Sequence, residues 1–502
     1  MRSKIVLGLL ISLFLAFGAL LLLRPRTQHM APSGPLVAKP IGVDPAASTT
    51  GAPSATPEDG GGAPDAGGGA REATDGGTDA GNAESRKPLM DRPLRVASLG
   101  WHLLAPALLE NDGLTAGEKS GFAAARLPVQ LAAVSDMVSI EKALARGGAD
   151  EAGADVVLVP LPSLVASYER LRALSPEVFF VVGFSRGREV VASRKDALPD
   201  KGEVKLAGTA GDPATFLALF ALEASGVQPG EVRLVTPSAG EAPDGVSLAA
   251  AARGALPSGF RPLLSSADTP RLIPHVAVAP RGFIEGHPEA LVALAHGWLT
   301  GMNKLAADPP TGARRVASAA GSSDPLAFVE HLGELGAATF TDNAEMAGLS
   351  GRNPLTLETL FQRSWALWRG VGALTTPAQV PAPVNNRVVA ALALAEPGSR
   401  SAAAEPVVRL PEGWEKARPL LVHRQEKLDE DALITTAGTL ASAFDRTVVR
   451  VGVLRGPAVD AARTKHVVEA TIGRFGLPAS RVVAATKASG KGAAVIEVLG
   501  GP

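Results

Sequence analysis

Polar side chains that could bind a ligand or take part in a reaction are few in this sequence, and several follow apolar runs typical of strands. Gly100, Trp101 and His102 follow the alternating run LRVASL, and Ser163 follows the run DVVLVPLP. In parallel α/β sheets, ligands bind at the carboxyl ends of strands. There a tryptophan can stack on a ligand, a histidine can accept or donate a hydrogen bond, and a serine can donate one. These residues predict a binding site built from strand ends, and Ser163 is also a candidate cap for the following helix.

A second group of candidates lies where a glycine-rich loop opens a helix. The loop Gly208–Gly211 contains Thr209 and precedes Asp212 and Pro213, residue types favoured at the N-cap and at the first helical position. The free backbone N–H groups of such a helix start suit an oxyanion. The Asp212 side chain, however, occupies one donor and repels an anion. Two interpretations stay open here, a ligand-contacting loop and an ordinary capped helix.

One motif suggests an enzyme. The segment Gly183-Phe-Ser185-Arg-Gly187 matches G-x-S-x-G, the nucleophile elbow of hydrolases, which requires a strand, a sharp turn and then a helix. Here the β-branched run Arg188–Ser193 follows, which predicts a second strand. A serine hydrolase using Ser185 is therefore the least favoured function, and the segment is interpreted as a hinge or strand-to-strand turn. No catalytic residue is predicted.

Composition narrows the remaining chemistry. The 502 residues include 49 basic and 50 acidic side chains, for a net charge of −1, and no cysteine. The charge balance lacks the basic footprint of a nucleic-acid-binding protein. The absence of cysteine excludes disulfides, thiolate zinc sites and cysteine nucleophiles. The eight histidines are scattered, and neither a metal site nor a cofactor is predicted.

The N-terminal region predicts a membrane anchor and a tether. Ile5–Leu23 is an apolar stretch of 19 residues, about the length that crosses a bilayer and long for a cleaved signal peptide. Residues 1–24 are predicted to anchor the chain with its N-terminus in the cytoplasm, and cleavage of this segment is the alternative. Residues 25–92, rich in Gly, Pro, Ala and Asp, predict a disordered linker.

Between residues 93 and 395, solid apolar strands alternate with helical patterns, which favours a buried parallel sheet. This region resembles the periplasmic solute-binding proteins of ABC importers, of the nitrate, sulfonate, taurine and thiamine-precursor type. The resemblance rests on Arg95–Trp101, Val181–Gly187, Gly208–Phe216 and Phe283–Leu291, and on a helix with Trp365 and Trp368. It implies a two-lobed fold of the type II periplasmic-binding-protein kind, with a ligand cleft between the lobes and Ser185 in a crossover.

One departure from that family concerns the second lobe. The family has a Gly-x-x-Asp-Ala strand there, often with an aromatic and acidic pair facing the cleft, whereas this chain has the alanine-rich stretch Ala249–Ser258. This departure leaves open whether the cleft still binds a ligand.

After a linker at 396–408, residues 409–502 show a βαβαβ pattern that resembles OmpA-like peptidoglycan-binding domains, on Leu428–Ala443 and Phe475–Val482. Those domains hold diaminopimelate with an Asp after the second strand and an Arg on the second helix. Here no Asp occupies the first position, and Thr464 stands at the second. The domain is therefore predicted not to bind peptidoglycan in the usual way, unless Asp460 and Arg463, neighbours at i,i+3, rebuild the pair.

Taken together, these patterns predict a single-pass protein of the bacterial inner membrane with its folded part in the periplasm. The preferred function is capture of a small molecule in an interlobe cleft, for ABC-type transport or for sensing. An ABC transporter permease or another envelope protein is the expected partner. The alternative is a cell-envelope scaffold whose cleft is vestigial.

Overall fold

The computed structural model describes residues 87–195, 197–237, 244–395, 418–487 and 492–500. They fall within one compact unit, Gly81–Pro502, of mixed α/β architecture. The predicted membrane span Ile5–Leu23, most of the predicted 25–92 linker and the 396–408 linker lie outside the described residues. Among the residues described, every helix is too short or too polar to traverse a bilayer.

The strands and helices alternate through most of the chain. In chain order the strands are β1 (Leu94–Leu99), β2 (Val129–Val134), β3 (Val156–Pro160), β4 (Pro176–Ser185), β5 (Glu189–Ser193), β6 (Val204–Ala207), β7 (Val232–Val235), β8 (Leu248–Ala252), β9 (Arg261–Ser265), β10 (Pro274–Pro280), β11 (Leu335–Ala337), β12 (Pro419–Gln425), β13 (Val448–Arg455), β14 (Ala458–Val459), β15 (Val482–Ala484) and β16 (Ala494–Leu499). The helices are α1 (Ala105–Asn111), α2 (Gly121–Ala124), α3 (Met137–Arg146), α4 (Leu161–Leu171), α5 (Pro213–Ser225), α6 (Arg281–Gly286), α7 (Pro288–Ala307), α8 (Pro309–Ala319), α9 (Leu326–Gly333), α10 (Phe340–Met346), α11 (Leu357–Gly370), α12 (Arg387–Ala395), α13 (Glu430–Ala443) and α14 (Ala461–Phe475).

The first sheet has the strand order β11-β4-β10-β3-β1-β2. Strand β1 pairs in parallel with β2 and β3, whereas β10 enters antiparallel between β3 and β4. Every residue of β3 and β4 is buried, which is why their sequences are solid apolar runs rather than alternating ones. Because β1 and β3 are parallel, their carboxyl ends lie at the same edge of this sheet.

The second sheet has the order β7-β6-β8-β5-β9. Strand β6 is parallel to β7 and β8, and β5 is antiparallel to β8 and β9. Two segments connect the first and second sheets, 186–188 between β4 and β5 and 266–273 between β9 and β10. The predicted strand-to-strand turn around Ser185 is thus a crossover between sheets.

Helix α5 packs on the second sheet and is well defined by its ends. The Asp212 side chain accepts from the backbone N–H of Ala214, Pro213 occupies the first turn, and Gly226 adopts the left-handed conformation that stops the helix. The caps predicted from the sequence are confirmed. All residues from Ala214 to Leu222 are buried, so this helix has no solvent-facing side.

The third sheet belongs to the C-terminal residues and has the order β12-β16-β13-β14, with β15 parallel to β13. The predicted strands and both predicted helices form. The short strands β14 and β15 were not predicted, since two or three residues carry no recognisable periodicity.

One hydrophobic cluster runs through all three sheets, with Val157 of β3, Leu206 of β6 and Val451 of β13 among its members. Helix α11 lies in it, and its indole Trp368 donates to the carbonyl of Pro162 over 3.0 Å. The sheets therefore share a core.

Two local predictions were wrong in detail. Ser163 does not cap α4, because the helix begins at Leu161 with Pro160 as the N-cap residue. The sequence of Leu103–Glu110 predicts one short helix, whereas the structure divides the segment between a 3₁₀ turn and α1.

Candidate ligand-binding site

A cavity of about 160 Å³ lies between the edges of the first and second sheets. Its walls come from the carboxyl ends of β1 and β3, from the β4–β5 crossover, from the start of α5 and from β8 and β10. The lining residues are Leu99, His102, Pro160, Arg188, Glu189, Asp212, Pro213, Ala214, Ala252 and His275. This volume is larger than the about 10–15 Å³ that one water molecule needs, so the cavity has room for a small ligand.

His102 reaches the cavity because the chain turns sharply at Gly100. Gly100 has φ of +90°, and a Cβ there would lie 3.0 Å from Nδ1 of His102. A glycine is thus required both by the backbone conformation and by the space that the imidazole occupies. Trp101 is half-buried and packs into the hydrophobic cluster of the first sheet, and it is not among the residues that line the cavity.

On the opposite wall, Asp212 stands at the start of α5. Its Oδ1 accepts from the N–H of Ala214 at 2.7 Å. Burial raises the pKa of the Asp212 carboxyl, and the backbone N–H groups of Ala214 and Thr215 oppose that rise. Asp212 thus places an acidic group at the cavity mouth and serves as a helix cap.

The β4–β5 crossover supplies one cation, Arg188, and the first residue of β5 supplies one carboxyl, Glu189. Among the described residues, the guanidinium of Arg188 has a long ion pair, 3.9 Å to Glu334, and 38% of its side chain is exposed. Glu189 is buried. Burial raises the pKa of its carboxyl, and hydrogen bonds with Ser266 and Ser185 oppose that rise only in part. Of these two groups, the guanidinium of Arg188 is therefore the one that gives this wall of the cavity its charge.

His275 lies on β10, where the first sheet approaches the crossover. Its Nε2 is 2.9 Å from the Oγ of Ser185, and its ring meets that of His102 edge to face at 6.1 Å. Burial, with the nearby charge of Arg188, lowers the pKa of His275 to about 3. Burial also lowers the pKa of His102 well below its usual value, again helped by Arg188. Both imidazoles are neutral at pH 7.

Three polar atoms on these cavity-lining side chains are buried without a hydrogen-bond partner: Nε2 of His102, Nδ1 of His275 and Oε2 of Glu189. Buried polar groups are nearly always hydrogen-bonded, and leaving one unpaired costs about 1–3 kcal/mol. Their concentration around one cavity indicates a place where water or a ligand completes the bonds.

The six residues predicted from the sequence do not all meet. His102 and Asp212 line the cavity, and Gly100 shapes it. The Ser163 hydroxyl donates to the carbonyl of Gly211 over 2.7 Å, so it ties α4 to the loop before α5. Thr209 is exposed, and its backbone N–H donates to Thr215.

Sequence reasoning missed Arg188, Glu189 and His275. Arg188 and Glu189 follow directly after the G-x-S-x-G segment, which had been interpreted only as a turn. The signal for His275 is a histidine inside the otherwise apolar run IPHVAVA. The alanine-rich stretch Ala249–Ser258 contributes only Ala252 to the cavity, in keeping with the absence of an acid or aromatic there.

The Ser185–His275 pair differs from a hydrolase dyad in two ways. Ser185 is 1% exposed and lies outside the cavity lining, and it is followed by β5 rather than by a helix. The orienting carboxyl of a triad bonds the far nitrogen of the histidine, whereas here Glu189 contacts the serine and Nδ1 of His275 has no partner. The pair is arranged as a buried polar contact. Within the described ranges, no three His, Asp or Glu side chains are grouped to hold a metal ion.

Among the C-terminal residues, Thr464, Asp460 and Arg463 all have structural contacts. Thr464 is fully buried, and its hydroxyl accepts from the N–H of Val453 at 2.9 Å. Asp460 caps α14 by accepting from the backbone N–H of Arg463, and the Arg463 guanidinium lies 4.0 Å from Glu430.

No family model and no curated protein matches this chain. Among solved structures, it is similar to the periplasmic aliphatic sulphonate binding protein SsuA from Escherichia coli, with 15% identity, a TM-score of 0.40, and coverage of 57% of this chain and 93% of that one. It is also similar to the alkanesulfonate-binding protein SsuA from Xanthomonas axonopodis pv. citri bound to MOPS, with 14% identity, a TM-score of 0.40, and coverage of 60% of this chain and 99% of that one. A third similar structure is described as a putative sulfonate ABC transporter, periplasmic sulfonate-binding protein SsuA from Methylobacillus flagellatus KT. It has 15% identity and a TM-score of 0.42, with coverage of 63% of this chain and 98% of that one. Similarity at this level concerns the fold and carries no inference about a ligand.

Proposed function

We propose that this protein is a binding protein that captures a small polar molecule in the cavity between its first and second sheets. The observation that carries the proposal is the set of three unpartnered buried atoms on His102, His275 and Glu189 around one cavity. Two neutral imidazoles and Arg188, whose ion pair is long, line this cavity. Leaving their polar groups without hydrogen bonds costs free energy. A ligand that bonds these atoms removes that cost.

The charges at the site define the kind of ligand. Arg188 favours an anionic or strongly accepting group, because guanidinium offers several donors in a fixed plane. The imidazole nitrogens are neutral, and Asp212 at the cavity mouth opposes a second anionic group. The expected ligand is therefore a small molecule with one anionic or accepting end and hydrogen-bonding groups beside it.

For the cellular setting, we propose a periplasmic protein held to the inner membrane by residues 1–24 and working with an ABC transporter permease or another envelope protein. This part rests on the sequence resemblance of residues 93–395 and on the apolar stretch Ile5–Leu23. Fusions of alkaline phosphatase after residue 92 test the topology, because they are active only when that point lies in the periplasm.

The binding function is tested by thermal unfolding of the full chain against a panel of small organic anions, amines and heterocycles. A ligand present at 100 times its Kd adds about 2.7 kcal/mol to the free energy of unfolding. The expected hit is an anion whose effect is lost in Arg188→Gln and kept in Arg233→Gln, an exposed arginine of β7 with a 4.0 Å ion pair. If no compound raises the unfolding midpoint, the proposal fails and the scaffold with a vestigial cleft is favoured.

A further inference from the structure

The two ends of helix α5 contact two different parts of the protein, the cavity and the strand β12. Its N-terminal residues Asp212, Pro213 and Ala214 line the cavity. At its C-terminal end, the carbonyl of Ala224 bonds Nδ1 of His423 on β12 at 3.1 Å. A helix of 13 residues is about 20 Å long and moves as a rod. The same rod therefore touches both the cavity and the C-terminal domain.

The C-terminal domain covers the part of α5 that the second sheet leaves free. Helix α5 contacts β5 and β8 on its own sheet and also contacts β12 and α11. A helix that is apolar on every side is stable only when it is buried on every side, and α5 meets that condition through β12. Arg424 of β12 adds an ion pair of 3.7 Å to Asp200, beside the second sheet.

A separate contact joins the C-terminal domain to the other side of the cavity. Arg352, in the connection between α10 and α11, donates to the carbonyl of Gly473 on α14 over 2.8 Å. Helix α10 packs on β4 of the first sheet. Beside the cavity, the hydrogen bond from Ser163 of α4 to the carbonyl of Gly211 ties the loop before α5 to a helix that packs on β3 of the first sheet.

We propose that occupancy of the cavity and docking of the C-terminal domain are coupled through α5. Any movement of the first turn of α5 toward or away from the first sheet displaces β12, because β12 is bound to the far end of the rod. Such coupling is reciprocal, so the state of the C-terminal domain also sets the ease with which the cavity closes. The role of a ligand in this coupling rests on the proposed function, but the mechanical link does not. The C-terminal domain becomes the part of the protein that reports whether the cavity is filled.

Hydrogen exchange of the full chain without any ligand tests the link in both directions. Ser163→Ala removes the bond between α4 and the loop before α5, and exchange is read at residues 419–425 of β12. The double variant His423→Ala, Arg424→Ala loosens the docked strand, and exchange is read at residues 208–214. Each remote segment is expected to exchange about fivefold faster, the change that matches loss of one ordinary hydrogen bond.

Matched controls carry the same substitutions at uncoupled places. Ser139→Ala removes a serine bond that is local to α3, to Asp136, and Lys465→Ala removes an exposed i,i+4 ion pair of α14, to Glu469. Neither control is expected to change the remote segment. The proposal is overturned if either remote segment keeps its wild-type exchange, whether or not the mutated site itself loosens, or if a control changes it equally. Because no ligand is used, an empty ligand screen would refute the proposed function and leave this result standing.

Discussion

Acidification is expected to destabilise this protein through His275. The residue is 4% exposed, and its environment lowers the pKa of the imidazole to about 3 because a protonated ring there would be buried beside Arg188. In the unfolded chain the same group has a pKa of about 6.5. Protons therefore bind more readily to the unfolded state.

The sign and size of the effect follow from these two values. Because the folded pKa is the lower one, the neutral ring favours the folded state fully above about pH 6.5, and this advantage is lost as the pH falls from there toward 3. Between pH 7.5 and 5.0, His275 alone accounts for a loss of about 2 kcal/mol in the free energy of unfolding. The pKa of His102 is shifted in the same direction, so its contribution adds to this loss.

Glu189 acts in the opposite sense. Burial raises the pKa of its carboxyl, so its contribution to stability is present at low pH and is lost as the pH rises through the folded value. On acidification, the change in the free energy of unfolding of the wild type therefore combines opposite contributions from the histidines and from Glu189. Only the difference between the wild type and a variant without His275 isolates the histidine.

The assay is urea unfolding at pH 7.5 and 5.0, for wild type, His275→Gln and the control His466→Gln, which changes an exposed histidine on α14. Glutamine keeps a polar group near Ser185 but does not titrate. The wild type and the control are expected to lose about 2 kcal/mol more than His275→Gln on acidification. Equal losses in all three proteins would refute the assignment of His275 as a buried neutral group.

Four further outcomes are expected. A fluorophosphonate probe should not label Ser185, which is 1% exposed, and labelling that disappears in Ser185→Ala would contradict the account of the site. Gly301→Ala should lower the free energy of unfolding by about 2 kcal/mol or more, because its Cβ would lie 2.1 Å from the carbonyl oxygen of Pro106. Gly473→Ala, in a helix with open space around it, should raise it by about 0.5–1 kcal/mol, and thermal unfolding distinguishes the two. The full chain should not be retained saturably on diaminopimelate-type sacculi, and saturable retention lost in Arg463→Ala would show that the binding pair has been rebuilt.

The elements that could be predicted from the sequence are those whose signals are local. Strand β1 has the bounds of the alternating run LRVASL, and α5 begins at its predicted Asp–Pro start, because each of these signals is contained in a few residues. Strand β10 was not predicted, since its antiparallel insertion between β3 and β4 depends on partners far away in the chain.

The candidate site was predictable only in part for the same reason. His102 and Asp212 follow the rules for strand ends and helix starts, so the sequence indicated them. Arg188 lies in the crossover before β5, Glu189 begins β5 and His275 lies on β10. They meet only because of how the two sheets are joined, and no short pattern encodes that meeting. Burial of a serine against a histidine distant in sequence, as in Ser185 and His275, becomes visible only when the strands are in place.

The all-round burial of α5 also has a consequence for how the chain folds in time. During synthesis or export the N-terminal parts of a protein become available first. Helix α5 and its sheet are then complete long before β12, which follows only after the helices α6 to α12. Until the last strands arrive, the apolar flank of α5 that packs on β12 has no cover, and exposed apolar surface of this kind favours aggregation. A chain that ends before residue 418 is therefore expected to collect in inclusion bodies or on chaperones, and release from them should coincide with completion of the third sheet.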